Sequence, residues 1–150
     1  MSIRERLQQR QFGPLADEAV VSLMVTAEHL EQAIAPVWER HGITADQYNV
    51  LRILRGVYPD GHPRHEVARR MIHRSPDVTR MLDRLVRQRL VARIRNPDDR
   101  RESVATITKA GLALLDRIDP DVHAVLEAAT ASLGDRDLRQ LIRLCDALVP

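Results

Sequence analysis

Apolar residues recur at spacings of three and four positions along most of this chain. In the first long segment, residues 15–41, they fall at Val20, Leu23, Ala27, Leu30, Ile34 and Val37. This spacing predicts an α-helix with a narrow apolar seam of the coiled-coil type. Pro36 removes one helical amide, so a kink or an early end is expected there, and Gly42 marks the stop.

Three further helices are predicted before the pattern changes. Residues 44–47 have the form of a capping box and open the second helix, which Gly56 closes. A third, short helix has Pro63 in its first turn and runs to about residue 72. Ser75 is a good N-cap for the fourth helix, which runs to about residue 89.

The fourth predicted helix has two different faces. Its inward positions are apolar: Val78, Met81, Leu82, Leu85 and Val86. Its outer side carries Arg80, Arg84 and Arg87 in one line, which we call the arginine stripe. Asp83 is expected to pair with Arg80 or Arg87.

After Leu90 the period of the pattern changes from 3.6 to 2. Residues 91–95 and 103–108 alternate apolar and polar side chains around a turn at Asn96-Pro97, which predicts a two-stranded hairpin. Thr108 can cap a following helix, which is expected to bend at Pro120 and to be separated from a last short helix near Gly134. The pattern as a whole predicts a mainly α fold with a small β-hairpin.

Length and composition limit the class of protein. With 150 residues the chain is long enough for one ordinary domain. It lacks both an apolar run near the roughly 20 residues that span a bilayer and the apolar core of a signal peptide, so a cytoplasmic protein without membrane contact is expected. Cys145 is the one cysteine, which excludes an internal disulfide and a cysteine-based zinc cluster.

The positive charge is concentrated in the middle of the chain. Residues 64–101 contain twelve arginines, no lysine and five acidic side chains, a net charge of +7, whereas the remainder carries −5. A basic centre between acidic arms indicates a polyanionic partner for the centre, and arginine favours forked contacts to phosphate or guanine. The alternative is a solvated helix face laced with ion pairs.

Two helices joined by a tight turn and followed by a hairpin form a winged helix-turn-helix. A helix with a basic outer face fits the DNA major groove, and an arginine at the hairpin tip can reach the adjacent minor groove or backbone. The tip, residues 98–101, carries two aspartates and two arginines. Either aspartate can hold a guanidinium by a charge-assisted bond, so that the arginine is ordered before DNA binds.

Several of these segments resemble the MarR family of bacterial transcription regulators. Residues 96–101, 104–111 and 114–115 resemble the wing and the following helix of that family. Residues 77–85 resemble its recognition helix, and residues 42–51 its second helix. The resemblance therefore covers nearly the whole chain.

The resemblance implies an assembly and a function. Residues 1–41 and 109–150 would form a helical dimerisation region, and residues 42–108 a winged helix-turn-helix DNA-binding lobe. The protein would be a homodimeric regulator, most simply a repressor, of a pseudo-palindromic site with half-sites about 10 base pairs apart. The alternative is that the first and last helices pack against each other within one chain and form no dimer interface.

Carried over by position, the expected DNA-binding residues are Ser75, Asp77, Thr79, Arg80, Arg84, Arg87, Asp99, Arg100 and Arg101. The first four match the start of the recognition helix, where bases are read, and Arg84 is expected to meet phosphate. Arg101 matches the minor-groove arginine, with Asp99 as its orienting partner. The family has glycine where this chain has Arg89, so either the turn differs or Arg89 is strained.

Regulators of this family often bind a small anionic aromatic or phenolic compound between the dimerisation helices and the DNA-binding lobe, and release DNA in response. The candidates here are Trp38, His41, Tyr48 and Arg52. The alternative is that Trp38 and Tyr48 only pack against neighbouring side chains, with their polar groups exposed to water. His62 and His65 form a single His-x-x-His pair, which is weak support for zinc, so no metal or cofactor is expected.

Two other classes of protein were weighed against a DNA-binding regulator. The chain has no glycine-rich phosphate loop, nucleophile elbow or paired carboxylates, so no enzyme is expected. A winged-helix protein-interaction module without sequence-specific DNA binding is the remaining alternative, and it predicts a weaker basic stripe.

Overall fold

A computed structural model describes residues 3–8, 13–74, 77–95 and 103–149. Its elements in chain order are α1 (Ile3–Arg6), α2 (Leu15–His41), α3 (Ala45–Arg55), β1 (His62–Pro63), α4 (Arg64–Arg70), α5 (Val78–Arg87), β2 (Val91–Arg95), β3 (Ser103–Ile107), α6 (Lys109–Thr130) and α7 (Asp135–Leu148). The predicted fold class is confirmed: the chain is mainly helical, with a small antiparallel sheet. Within the described ranges, none of the helices is long and apolar enough to cross a membrane.

The chain forms two compact units, Met1–Pro36 with His123–Pro150, and Val37–Val122. Every side chain that is buried among the described residues belongs to the second unit, whose core includes Leu51, Leu54, Leu82, Leu85 and Leu115. The first unit is helical, and its described residues include no buried side chain. The second unit therefore has an apolar core of its own, whereas the described residues of the first unit form none.

The start of α3 follows from its sequence. Thr44 accepts a hydrogen bond from the backbone N–H of Gln47, and the Gln47 side chain accepts one from the backbone N–H of Thr44. This reciprocal capping box satisfies two amides that the first turn would leave without partners, as the sequence predicted. Gly42, with φ at +63°, ends α2 at the predicted place.

The sheet has three strands in the order β1-β3-β2, one more than the predicted hairpin. Strand β1 is only two residues long, and its residues His62 and Pro63 pair with Ala105 and Val104. Such a short strand leaves no alternating pattern, and proline at an edge strand loses no ladder hydrogen bond. Gly61 permits the close approach, because a Cβ there would lie 2.5 Å from Oγ1 of Thr106.

Helix α2 has the predicted bounds and continues through Pro36, and α6 continues through Pro120. Two other helices have ends that differ from the prediction. Helix α4 ends at Arg70, two residues before the predicted end, and Ile72 beyond it is 79% exposed. Helix α5 begins at Val78 with Asp77 as its N-cap, whereas the predicted N-cap, Ser75, lies outside the described residues.

Candidate nucleic-acid interface

Helix α5 presents the arginine stripe on its solvent face. Its other face buries Val78, Leu82 and Leu85 in the core of the second unit, which fixes the rotation of the helix. Arg80 is 86% exposed, and Arg84 and Arg87 are also exposed. With 3.6 residues per turn, these three positions line one side of the helix.

The stripe contains one local ion pair. The Asp77 carboxylate accepts a hydrogen bond from the backbone N–H of Arg80 at 3.4 Å and lies 3.4 Å from its Nε. Within the part of the chain that the structure describes, Arg84 and Arg87 have no carboxylate partner within salt-bridge distance. These two guanidinium groups therefore keep their forked donors for an external anion.

Asp83 connects α5 to the sheet. Its carboxylate lies 2.7 Å from the guanidinium of Arg93 on β2. The predicted pairing of Asp83 with Arg80 or Arg87 was wrong, because Asp83 lies on the flank of α5 that faces the strand. The ion pair joins the helix that carries the stripe to the base of the hairpin.

The turn between α5 and β2 is closed around Arg89. The backbone N–H of Arg89 bonds to the carbonyl of Val86, and that of Leu90 to the carbonyl of Leu85. This pair of backbone hydrogen bonds is the Schellman motif, which requires a left-handed conformation at Arg89. Its φ is +60°, so the turn keeps the form expected for glycine and Arg89 carries the strain.

The end of β3 is attached to the same turn. Thr108 donates from its Oγ1 to the carbonyls of Arg89 and Leu90, and the same oxygen accepts from the backbone N–H of Gly111. A Cβ on Gly111 would collide with the carbonyl oxygen of Leu90 and lie 2.7 Å from Ile107. The Thr-x-x-Gly spacing thus permits close packing of α6 against the base of the hairpin.

Two grooves border α5, and the smaller one lies on the side of α5 that faces the hairpin. It has a volume of about 300 Å³ and is lined by Arg64, His65, Thr79, Leu82, Arg93, Ser103 and Ala105. Thr79, which was predicted to contact bases, lies here beside Arg93. The other groove, of about 640 Å³, lies along the arginine stripe.

Four predicted DNA contacts cannot be placed. Ser75, Asp99, Arg100 and Arg101 lie outside the described residues. Their assignment therefore remains a prediction.

Three of the four predicted effector residues, Trp38, Tyr48 and Arg52, lie together. The rings of Trp38 and Tyr48 have centroids 4.7 Å apart, and the guanidinium carbon of Arg52 lies 5.8 Å from the Tyr48 centroid. His41, the fourth candidate, contacts α6: its Nε2 lies 2.8 Å from the carboxylate of Asp121. Asp121 also accepts a hydrogen bond from Arg40 at 2.9 Å.

A second carboxylate of α6, Asp119, satisfies the polar ends of this cluster. It accepts hydrogen bonds from the Tyr48 hydroxyl at 2.9 Å and from Arg55 at 2.7 Å, while Arg52 donates to the Tyr48 oxygen at 3.1 Å. We call Trp38, His41, Tyr48, Arg52, Arg55, Asp119 and Asp121 the carboxylate cluster. Asp119, Asp121 and Arg55 could not be predicted as members of this cluster, because nothing local in the sequence indicates which helix meets the two acids.

The environment changes the pKa values in the carboxylate cluster. Burial alone would raise the pKa of Asp119, but hydrogen bonds from Arg55 and Tyr48, with the charges of Arg55 and Arg52, lower it overall. Chiefly through its hydrogen bond with His41, the pKa of Asp121 is also lowered. Burial raises the pKa of Tyr48, so its hydroxyl remains a donor at neutral pH.

The histidines near α4, His62 and His65, belong to no metal-ligand group among the described residues. Within the described ranges, no group of three or more His, Cys, Asp or Glu side chains could hold a metal ion. Burial, and then the charges of Arg70 and Arg69, lower the pKa of His62, which favours its neutral form. His65 lies 3.7 Å from Glu66.

Comparison with known proteins connects this arrangement to transcription regulators. The sequence model of the MarR family matches residues 41–102, which include α3, α4, α5 and β2. The homoprotocatechuate degradative operon repressor of Escherichia coli is 26% identical over 133 residues, which are 89% of this chain and 88% of that protein.

Solved structures agree with the sequence comparison. A MarR transcription factor from Planctomyces limnophilus is 34% identical, with a TM-score of 0.68 over 91% of this chain and 99% of that chain. AbsC, a MarR family regulator from Streptomyces coelicolor, shares the fold with a TM-score of 0.81 at 18% identity, over 92% of this chain and 95% of that chain. These proteins are similar over nearly the full length, and none of them is described as an enzyme.

Proposed function

Because the chain belongs to the MarR family of transcription regulators, we propose that it is a homodimeric repressor of a pseudo-palindromic operator, relieved by a small aromatic ligand. The observation that carries the DNA-binding part is the exposed arginine stripe on α5. A helix of this kind enters the major groove, where arginine can read guanine with two hydrogen bonds. We assign base reading to Arg80, at the start of α5, and phosphate contacts to Arg84 and Arg87.

The homodimer is supported by the unit that lacks a core. Its helices expose large apolar side chains, including Leu15, Val20, Leu23, Met24, Leu126, Leu141, Ile142, Leu144 and Leu148. Five of them, Val20, Leu23, Leu141, Leu144 and Leu148, line an almost wholly apolar groove of about 560 Å³ between α2 and α7. Exposed apolar surface of this extent marks an interface. A second copy of the chain, with the same helices, supplies a matching apolar surface and would set the spacing of two recognition helices.

A phenolic acid is the effector class that the carboxylate cluster supports. Its carboxylate would replace that of Asp119 as the partner of Arg52, Arg55 and the Tyr48 hydroxyl, and its ring would pack against Trp38. The name of the Escherichia coli relative, a repressor of homoprotocatechuate degradation, makes that compound the first to test. Breaking the contacts between α6 and α3 would change the position of the DNA-binding elements.

The decisive experiment begins with selection of bound duplexes from a random pool. Fluorescence anisotropy at several salt concentrations then compares the selected duplex with a scrambled one. A regulator binds the selected duplex more tightly, and log affinity falls linearly with log salt. An Arg84→Gln variant should bind more weakly, whereas Arg136→Gln, which removes the same charge from α7, should not. Failure to enrich any sequence would favour the protein-interaction module instead.

The effector is tested on the same complex. Homoprotocatechuate and salicylate are titrated into the protein bound to its selected duplex, and the anisotropy reports release. An Arg52→Gln variant should need more of the acid, since it loses one of the guanidinium partners. Unchanged DNA affinity at saturating concentrations of both acids would contradict the phenolic-effector proposal.

A further inference from the structure

We propose that the groove between α4, α5 and β3 seats one phosphate of the DNA backbone, held by Arg64 and Arg93 with the hydroxyls of Thr79 and Ser103. We call it the phosphate groove. This inference rests on the proposed DNA binding and adds a sequence-independent contact to it. It assigns Thr79 to the backbone instead of to base edges.

The register of the sheet creates the groove. Val91 and Ile107 are paired directly across strands β2 and β3, and both are buried. The next pair on the same face of the sheet is Arg93 with Ala105. Ala105 is still buried, but Arg93 is exposed, and two positions further along β3 stands Ser103. The apolar core therefore ends at Ala105, and polar donors continue the same face toward the hairpin tip.

The charges of the groove favour an anion. Arg64 is exposed, and within the described part of the chain it has no carboxylate within salt-bridge distance. Arg93 is held in place by Asp83 at 2.7 Å, so little side-chain entropy remains to be lost when its other donors bind. Two guanidinium groups beside two hydroxyls form a donor set suited to phosphate oxygens.

The position of the groove favours phosphate over a base. Thr79 lines this groove on the flank of α5 that faces the hairpin. Asp83, four residues later, contacts Arg93 from the same flank and also borders the groove along the arginine stripe, which occupies the adjacent solvent face. When the stripe lies in the major groove, this flank faces the strand of phosphates that borders it. Apart from the imidazole of His65, the described lining contains no aromatic ring on which a base could stack.

The test measures the salt dependence of DNA binding for Arg64→Gln, Thr79→Val and the control Arg136→Gln. Anisotropy is recorded on the selected and the scrambled duplex, and circular dichroism confirms folding. For Arg64→Gln we expect roughly threefold to tenfold weaker binding to both duplexes, an unchanged preference ratio and a log–log salt slope smaller by about 0.9. For Thr79→Val we expect weaker binding to both, with the slope and the ratio unchanged.

Other outcomes overturn the inference in distinguishable ways. If Thr79→Val or Arg64→Gln changes the ratio between the duplexes, the groove contacts bases. If Arg64→Gln has the slope and affinity of Arg136→Gln, the groove contacts no phosphate, while the proposed function stands. If the wild-type protein binds neither duplex, the proposed function fails together with the groove.

Discussion

The backbone N–H of Leu90 donates to the carbonyl oxygen of Leu85 at 3.0 Å, which closes α5 around a left-handed residue. That residue is Arg89, with φ at +60°. An L-residue with a Cβ loses about 1 kcal/mol or more in this conformation, whereas glycine adopts it freely. The sequence therefore places strain at the turn that sets the direction of the hairpin.

Replacing Arg89 by glycine should relieve this strain. We expect Arg89→Gly to raise the free energy of unfolding by about 1 kcal/mol, measured by urea denaturation. Gln88→Gly is the control, because Gln88 has φ at −77° and gains nothing from glycine. It should lower the stability by about 0.5–1 kcal/mol. Equal effects of the two variants would show that Arg89 is not strained.

Gly111 should tolerate no side chain. Its Cβ would meet the carbonyl oxygen of Leu90 and the side chain of Ile107, both fixed by the packing of α6 against the hairpin. We expect Gly111→Ala to lower the free energy of unfolding by about 1–3 kcal/mol. Gly56→Ala is the control: its φ is −62° and its nearest neighbour would be 3.4 Å away, so it should be neutral or slightly stabilising.

The features that sequence predicted are the ones with local causes. The capping box at Thr44 and the apolar face of α5 each depend on residues within a few positions of one another. The pairing of Asp83 with Arg93 does not, and the local alternatives, Arg80 and Arg87, were predicted in its place. Strand β1 was missed for the same reason, since only its partner β3 makes His62 and Pro63 a strand.

The candidate sites divide in the same way. The arginine stripe could be predicted because it is a property of one helix. Three of the four effector candidates do lie together, but the acidic partners Asp119 and Asp121 come from α6, some 70 to 80 residues further along the chain. No spacing in the sequence indicates which acids reach across that distance. The same limit hid the contribution of Arg64 to the phosphate groove.

Asp119 should stabilise the fold in a pH-dependent manner. Its pKa is lowered in the folded protein, so its contribution is present above the ordinary aspartate pKa of about 4 and is lost as the pH falls below it. We expect Asp119→Asn to cost about 1–2 kcal/mol at pH 7 and much less near pH 3, by urea denaturation. Asp116→Asn, at a 76% exposed carboxylate 4.0 Å from Arg55, should cost under about 0.5 kcal/mol at either pH. A pH-independent loss for Asp119→Asn would contradict the linkage.

Arg80 and Arg101 should affect DNA binding differently. Arg80→Ala should remove a base contact and reduce the preference for the selected duplex by roughly 1–3 kcal/mol. Arg101→Ala should weaken binding to the selected and scrambled duplexes alike, by less than a complete loss, since it is assigned to the minor groove or backbone. Competition anisotropy with both duplexes gives, for each variant, the ratio of its affinities for the selected and the scrambled duplex. If both variants kept wild-type affinity and preference, the assigned docking on DNA would be wrong.

A charge in the apolar groove between α2 and α7 should prevent dimer formation. Leu144 lines this groove, and Leu144→Glu would place a carboxylate against the apolar surface of the second copy, where no partner charge can be expected. We expect sedimentation equilibrium to show a dimer for the wild-type chain and a shift toward monomer for the variant, with weaker binding to the two-half-site duplex. Leu133→Glu is the control, since Leu133 is partly exposed but does not line the groove. A wild-type monomer, or a Leu144→Glu dimer as stable as that of Leu133→Glu, would locate the dimer interface elsewhere or exclude it.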